Sequence, residues 1–338
     1  MEFRLKTLTP IWTGGVRKDN SSLHLTSIRG SMRWWYEVLI RRLGYYVCDP
    51  TANGCKLNIS NEDKKKIGEG KISLADYIKG EICPACYFFG CTGWSGKFAI
   101  RLTESKTNFF NLYFIEKKKF EKEEISLLKM TLKLIVDYGA IGGRTTFKPS
   151  EENYKNTKLH HKDFGLITRA DDSNIPNLEE KIHGIGTNEY LKGFKKSGSN
   201  DEEWPNLKNF WFIKNRWLNR KQINKIVERD KNGNYHQPSE FSVFLGGFIS
   251  REKCRFSPEL CETYKSINSI SKKIFSFHGT GQKDGTTDKG RFPRCFGYTK
   301  KETELDNVVE LIKGQFKKQF PEESSFKIKK GKEVLNGL

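Results

Sequence analysis

The chain has no long apolar run. No segment approaches the length of a membrane span, and the opening Met1-Glu2-Phe3-Arg4-Leu5-Lys6 lacks the apolar core of a secretory signal. These absences predict a cytoplasmic protein with no membrane partner. A nucleoside triphosphate loop, a nucleophile elbow and an HExxH helix are also missing, which removes three common classes of enzyme. No fixed-period repeat is visible. Acidic residues are outnumbered, 41 Asp and Glu against 60 Lys and Arg, giving a formal net charge of +19.

That imbalance predicts a polyanionic partner, nucleic acid first, because each cation that neutralises a phosphate releases condensed counterions. Lysine-rich runs such as Asp63-Lys64-Lys65-Lys66 and Lys117-Lys118-Lys119 are assigned to a solvated surface. Arginine discriminates better. Arg29, Arg33, Arg144, Arg291 and Arg294 stand in loop-like or helix-start settings where a planar fork can reach phosphate. With 338 residues the chain is long enough for two ordinary domains.

The segment Ser27-Ile28-Arg29-Gly30-Ser31-Met32-Arg33-Trp34-Trp35-Tyr36 reads as a polar entry into a helix. Thr26 or Ser27 can cap its first turn, whose amides and positive dipole end favour an anion, while Arg29 and Arg33 share a face at i,i+4 spacing. Gly30 and Ser31 leave room for a backbone to approach. Ile28, Met32, Trp35, Leu39 and Leu43 form an apolar stripe at helical period, so Trp35 is expected in the core. Trp34 lies off the stripe, free either to stack on a base or to sit half-buried.

Five of the eight cysteines fall between Cys48 and Cys91. In a reducing compartment clustering points to metal rather than to disulfides. Cys83-Pro-Ala-Cys86 forms a CxxC knuckle, and Cys48 and Cys55 supply a second pair for a tetrahedral structural Zn²⁺. Cys91 is the spare, able to replace Cys48 or Cys55, and reduced buried thiols are the alternative to a metal. Cys254, Cys261 and Cys295 are dispersed and read as core thiols.

Along the chain, residues 1–12 read as a strand, 29–43 as a helix, 97–103 and 111–116 as strands, 123–138 as a helix and 164–169 as a closing strand. That order, strand-helix-strand-strand-helix-strand, is the ferredoxin-like or RRM-like one. The turn-rich, charged stretch 48–80 looks like an insertion. In the second half, 210–213, 275–277 and 326–329 read as strands, and 220–229, 240–249 and 305–316 as helices. Residues 195–206 read as a linker. After the second helix of the first half, Gly139-Ala140-Ile141-Gly142-Gly143-Arg144-Thr145-Thr146-Phe147-Lys148 supplies glycine amides, hydroxyls and two cations suited to consecutive phosphates. A second such loop runs from His278 to Arg294 and includes Lys283 and Arg291.

The run Leu8-Thr9-Pro10-Ile11-Trp12-Thr13-Gly14-Gly15, then residues 28–35, then Cys83 to Trp94, resembles in order the first-subunit family of the Cmr module. That module is the RNA-guided effector of type III-B CRISPR systems, and its first subunits belong to the RAMP superfamily. The resemblance implies an α+β protein of two tandem ferredoxin-like domains, residues 1–170 with a cysteine-rich insertion at about 46–92, and residues 171–338. It implies guide RNA, complementary target RNA and other Cmr subunits as partners, with contacts near the 3′ end of the guide. Ser27, Arg29, Gly30, Ser31, Arg33 and Trp34 are the helix-start candidates for RNA contact; Gly142, Gly143, Arg144, Thr145 and Lys148 are those of the first glycine loop. Lys283, Arg291 and Arg294 are the second loop's candidates. No catalytic residue is assigned. The competing reading is a metal-independent ribonuclease using His160 or His161 near Asp163, with Asp19 as a further carboxylate to weigh.

Overall fold

The computed structural model describes residues 1–14, 23–49, 54–104, 109–143, 145, 163–170, 187–196, 205–230, 239–249, 269–270, 272–279, 292–319 and 327–336. In chain order the first half comprises β1 (Glu2–Thr7), α1 (Leu25–Arg42), α2 (Asn61–Gly68), α3 (Leu74–Glu81), α4 (Pro84–Phe89), β2 (Phe98–Glu104), β3 (Phe109–Glu116), α5 (Lys122–Asp137) and β4 (Ile167–Arg169). Then come α6 (Thr187–Lys192), β5 (Phe210–Lys214), α7 (Arg220–Ile226), α8 (Glu240–Gly246), β6 (Phe248–Ile249), β7 (Ser269–Ile270) and β8 (Ile274–Phe277). The last are β9 (Arg294–Tyr298), α9 (Leu305–Gln319), β10 (Ile328–Lys330) and α10 (Gly331–Leu335).

Two four-stranded antiparallel sheets carry the protein, in the orders β2-β3-β1-β4 and β10-β5-β9-β8, while β6 and β7 pair separately. In the first sheet the period-two alternation of strands sorts side chains by face. Phe3, Leu5, Phe110, Leu112 and Phe114 are buried, with Phe3 and Phe114 edge-to-face at 5.8 Å. Arg4, Lys6, Phe109, Asn111 and Tyr113 occupy the alternate positions of the same strands and are half-buried.

The helices α1 and α5 form a layer between the two sheets. The expected stripe of α1 is buried at Ile28, Met32, Trp35 and Leu39, and burial continues around the helix through Tyr36, Val38 and Ile40. Trp35 Nε1 donates to Ala140 O at 3.0 Å, and its ring lies 5.9 Å from Phe210 and 5.3 Å from Phe296 of the second sheet. One hydrophobic core therefore runs from Phe3 and Leu5 through the helix layer to Phe210, Phe212, Phe296 and Tyr298. On the far face of the second sheet, Trp211, Ile213, Ile274 and Cys295 pack with Ile223 of α7 and Val308, Ile312 and Phe316 of α9 in a second core.

Several boundaries differ from the sequence reading. Helix α1 starts at Leu25 with His24 as N-cap, so Thr26 and Ser27 lie inside its first turn rather than capping it. The insertion read as turn-rich holds α2, α3 and α4; Ser60 and Ser73 accept from the amides of Asp63 and Asp76, the N-cap bond that starts each of the first two helices. The helix expected over 240–249 stops at Gly246, where Gly247 has φ +72°, and Phe248–Ile249 pairs as a strand. Strand β9 was read as loop. The supposed linker is fastened at both described ends: Lys195 N donates to Lys79 O at 3.0 Å, and Arg41 Nη1 donates to Pro205 O at 3.2 Å. Among the described residues no helix is long and apolar enough to cross a membrane.

Candidate nucleic-acid interface and metal centre

Four sulfurs, of Cys48, Cys55, Cys83 and Cys86, lie within 4.8 Å of one another, and all four residues are buried. Cys83 opens α4 as its N-cap, accepting from Cys86 N at 3.5 Å, with Pro84 at the first helical position. That turn brings the two knuckle sulfurs round to one point. Cys55 N and Cys83 N donate to the sulfurs of Cys48 and Cys55, each at 3.4 Å. The Cys48–Cys86 and Cys48–Cys83 sulfur separations are 3.4 and 3.7 Å. A tetrahedral centre with Zn–S bonds near 2.3 Å needs sulfurs about 3.8 Å apart, so the donor set fits a Zn²⁺ ion. The cysteines are unpaired as disulfides. Cys91 is half-buried and lies outside the four. Hydrogen bonds from Cys48, Cys83 and Cys86 drive the Cys55 thiol down, while bonds to Cys48, Cys55 and Cys83 drive Cys86 up, as when close sulfurs share too few cations.

The glycine after the knuckle is required. Gly93, at φ +82°, places its Cα so close to the strand-like segment at Leu57 that an added Cβ would sit 2.0 Å from Leu57 O. Leu57 N donates to Thr92 O at 2.8 Å, tying the two cysteine-bearing segments together.

Arg33, expected to reach phosphate, turns inward to this centre. Its Nε pairs with Glu37 at 2.7 Å, Nη1 donates to Gly90 O at 2.7 Å, and Nη2 reaches the sulfurs of Cys86 and Cys48 at 3.1 and 4.0 Å. Burial alone would lower its pKa, but Glu37 and then Cys86 hold it above the usual arginine value. Arg29 donates to Phe89 O and lies 4.9 Å from the centre of the Phe98 ring. The arginine pair thus clamps the C-terminal end of α4 to α1. Trp34 is likewise reassigned: its ring meets Trp35 at 4.8 Å, Phe210 at 6.0 Å and Tyr298 at 6.2 Å, so the second sheet covers the surface on which a base would stack.

Arg294 is also corrected. It lies in β9, 7 % exposed, and its Nη1 donates to Val136 O, Gly139 O and Ile135 O at 2.7, 3.1 and 3.4 Å. These are the carbonyls left open at the C-terminus of α5, where a cation is favoured by the helix dipole. Asp163 is 6 % exposed and accepts from Gly279 N at 2.8 Å, a link between the two halves. Arg144, Lys148, Lys283, Arg291, Asp19, His160, His161, Cys254 and Cys261 lie outside the described residues.

The remaining candidates converge. Gly142, at φ +86°, packs against the segment after β1, where a Cβ would lie 2.6 Å from Trp12 O, and Gly143 N donates to that same oxygen at 2.6 Å. Thr13, the next residue, holds the start of α1: His24 N donates to Thr13 Oγ1 at 3.0 Å and Ser27 Oγ to Thr13 O at 2.7 Å. Three segments distant in sequence therefore meet around Trp12 and Thr13. The first turn of α1 there has no acidic residue and no side-chain cap, and Thr26 is exposed. Gly30, one turn on, has nothing within 4 Å of a Cβ position, and Ser31 and Thr145 are half-exposed. Backbone amides, hydroxyls and a helix N-terminus are groups that bind phosphate oxygens. Trp12 and Thr13 were visible only as part of a motif; their role as a hub depends on contacts more than a hundred residues apart in the chain.

No curated protein matches the chain. Among solved structures, the crystal structure of Cmr1 from Pyrococcus furiosus in its apo form is similar, at 12% identity and a TM-score of 0.43, covering 98% of each chain. Residues 4–147, which hold β1, α1, the four-cysteine centre and the glycine turn after α5, match the RAMP superfamily.

Proposed function

We propose that this chain is an RNA-binding, non-catalytic subunit of a Cmr-type effector, holding guide RNA near its 3′ end and helping to admit the complementary target. The observation that carries the reading is the meeting of the α1 start, Thr13 and the Gly142-Gly143 turn inside the RAMP-matching residues. Base pairing supplies sequence choice, and the protein supplies phosphate contacts. The net charge of +19 gives the long-range attraction. In this reading each sheet with its helices is a ferredoxin-like unit, since both share the order last, first, third, second among their own strands. The four cysteines hold a structural Zn²⁺ that fixes the insertion against α1.

Labelled single-stranded RNA titrated with the full chain in EDTA tests the function. The expected result is a shift without cutting that weakens at least about tenfold between 50 and 200 mM salt. An affinity that stays flat with salt would overturn phosphate-based binding, and cleavage in EDTA would establish the ribonuclease instead.

A further inference from the structure

Beside the C-terminus of α5, between the two halves of the chain, lies a cleft of about 330 Å³ that the sequence reading did not single out. Its walls are Tyr138, Phe212, Lys214, Arg216, Lys327 and Lys329. The register explains why the cations gather. Lys214 pairs with Arg294 across β5 and β9, and Lys329 with Phe212 across β10 and β5, which places all of them on the sheet face that looks toward α5. Strand β5 then ends abruptly, because Asn215 has φ +62°, and Arg216 follows at the rim.

Tyr138 sits among these charges. Lys214 Nζ lies 4.4 Å from its ring centre and Lys329 Nζ 5.7 Å. Lys329 also donates to the phenol oxygen at 3.1 Å, so that oxygen accepts and its own proton is left to donate elsewhere. Asp137 meets Lys214 at 3.9 Å, and Arg294 is occupied by the α5 carbonyls. One carboxylate faces several cations. Burial pulls the Lys214 pKa down; Asp137 opposes this, and Arg294, Lys329 and Lys133 add repulsion. A cluster of like charges around a hydroxyl donor in a concave site is stabilised by a bound anion.

We propose that this cleft is a phosphate-binding site, in which Lys214, Lys329 and the Tyr138 hydroxyl hold the phosphate of one nucleotide unit of an RNA strand. The volume is at the lower end of small-ligand sites, about 300 Å³ and above, which admits a phosphate with its sugar. The RNA source rests on the function proposed above; the phosphate chemistry does not.

The test uses the full chain and an oligouridylate followed by fluorescence anisotropy across salt. Methionine preserves side-chain length on the Tyr138 ring, so the variant is Lys214→Met with Lys329→Met, its folding checked by thermal melting. Expected are at least about tenfold weaker binding at low salt and a salt slope shallower by about 1.4, the value for two lost contacts to single-stranded RNA. Tyr138→Phe should weaken binding about threefold without changing the slope. Lys64→Met with Lys65→Met, on exposed α2, controls for net charge and should leave the slope within about half a unit of the parent. If the Lys214/Lys329 variant binds RNA like the parent, the site is overturned while RNA binding stands. If the parent binds no RNA, the RNA reading fails. The cleft then survives only if AMP or inorganic phosphate raises the parent's melting temperature and not the variant's; the absence of that difference overturns it as well.

Discussion

The two large sheets share one strand order and differ in what covers their faces. The first is packed on α1 and α5 by one face only, and its other face carries Arg4, Lys6, Phe109, Asn111 and Tyr113. There Arg4 and Lys6 lie 5.2 and 5.7 Å from the Phe109 ring centre and Arg101 lies 4.8 Å from that of Tyr113. The second sheet is enclosed, with Phe210, Phe212 and Phe296 toward the helix layer and Trp211, Ile213 and Cys295 toward α7 and α9. Four consecutive residues of β5 and all five of β9 are buried. The difference teaches where each half draws its stability. The second half depends on a sheet with no wet side, whereas the first half can change its outer face at little cost.

The largest effect should come from the enclosed sheet. Phe296→Ala removes a ring that is 1 % exposed, stacks on Phe275 at 4.6 Å and touches Trp35 of the other half. Chemical denaturation should show a loss of about 3–5 kcal/mol. A loss below about 1 kcal/mol would mean that the face is not packed as described.

Next comes the metal centre, which the first half has and the second lacks among the described residues. Cys86→Ser should take zinc from about one ion per chain to none by elemental analysis and lower stability by about 2–4 kcal/mol. Zinc-free parent protein of unchanged stability would remove the metal reading.

Lys273 gives a smaller effect of opposite sign. It is 9 % exposed, lies 5.2 Å from the Phe244 ring centre, and burial lowers its pKa to about 8. Because the unfolded value is near 10.4, the folded protein binds fewer protons between pH 8 and 10.4, so this residue makes stability rise with pH across that window. Below pH 8 its full penalty is present. Lys273→Met should therefore be more stable than the parent at pH 7, by about 1–3 kcal/mol, and should show a flatter rise above pH 8. A variant less stable than the parent at pH 7 would show that its contacts outweigh the burial of its charge.

The smallest effect is expected on the open face. Tyr113→Ala should cost under about 1 kcal/mol, since its ring packs chiefly against Arg101. A cost near that of Phe296→Ala would erase the contrast between the sheets.

This contrast also explains what could be read in advance. The alternation in Phe3-Arg4-Leu5-Lys6 and in Phe110 to Phe114 is the direct imprint of a sheet with one wet face, and the stripe from Ile28 to Leu39 is that of a helix against it. The four cysteines announced themselves by local spacing, because a knuckle is built within one turn of chain. Strand β9 left no such imprint, since Arg294, Cys295, Phe296, Gly297 and Tyr298 are buried on both sides and obey no alternation. Ser60 to Asp63 and Ser73 to Asp76 were legible helix starts that the charged composition around them obscured.

By itself, then, the sequence determined the element types of the first half, the cysteine set and the polyanion-seeking charge, all properties of neighbours within a turn or of the chain summed. Only the tertiary structure decided where the arginines go. A guanidinium reaches carbonyls and sulfurs brought near by folding, so Arg33 faces Cys86 and Arg294 caps α5, fifty-three and some hundred and fifty-eight residues away along the chain. Lys214 and Lys329 meet at Tyr138 for the same reason: charge is written in the sequence, but the distance between charges, which sets their energy, is written only in the fold.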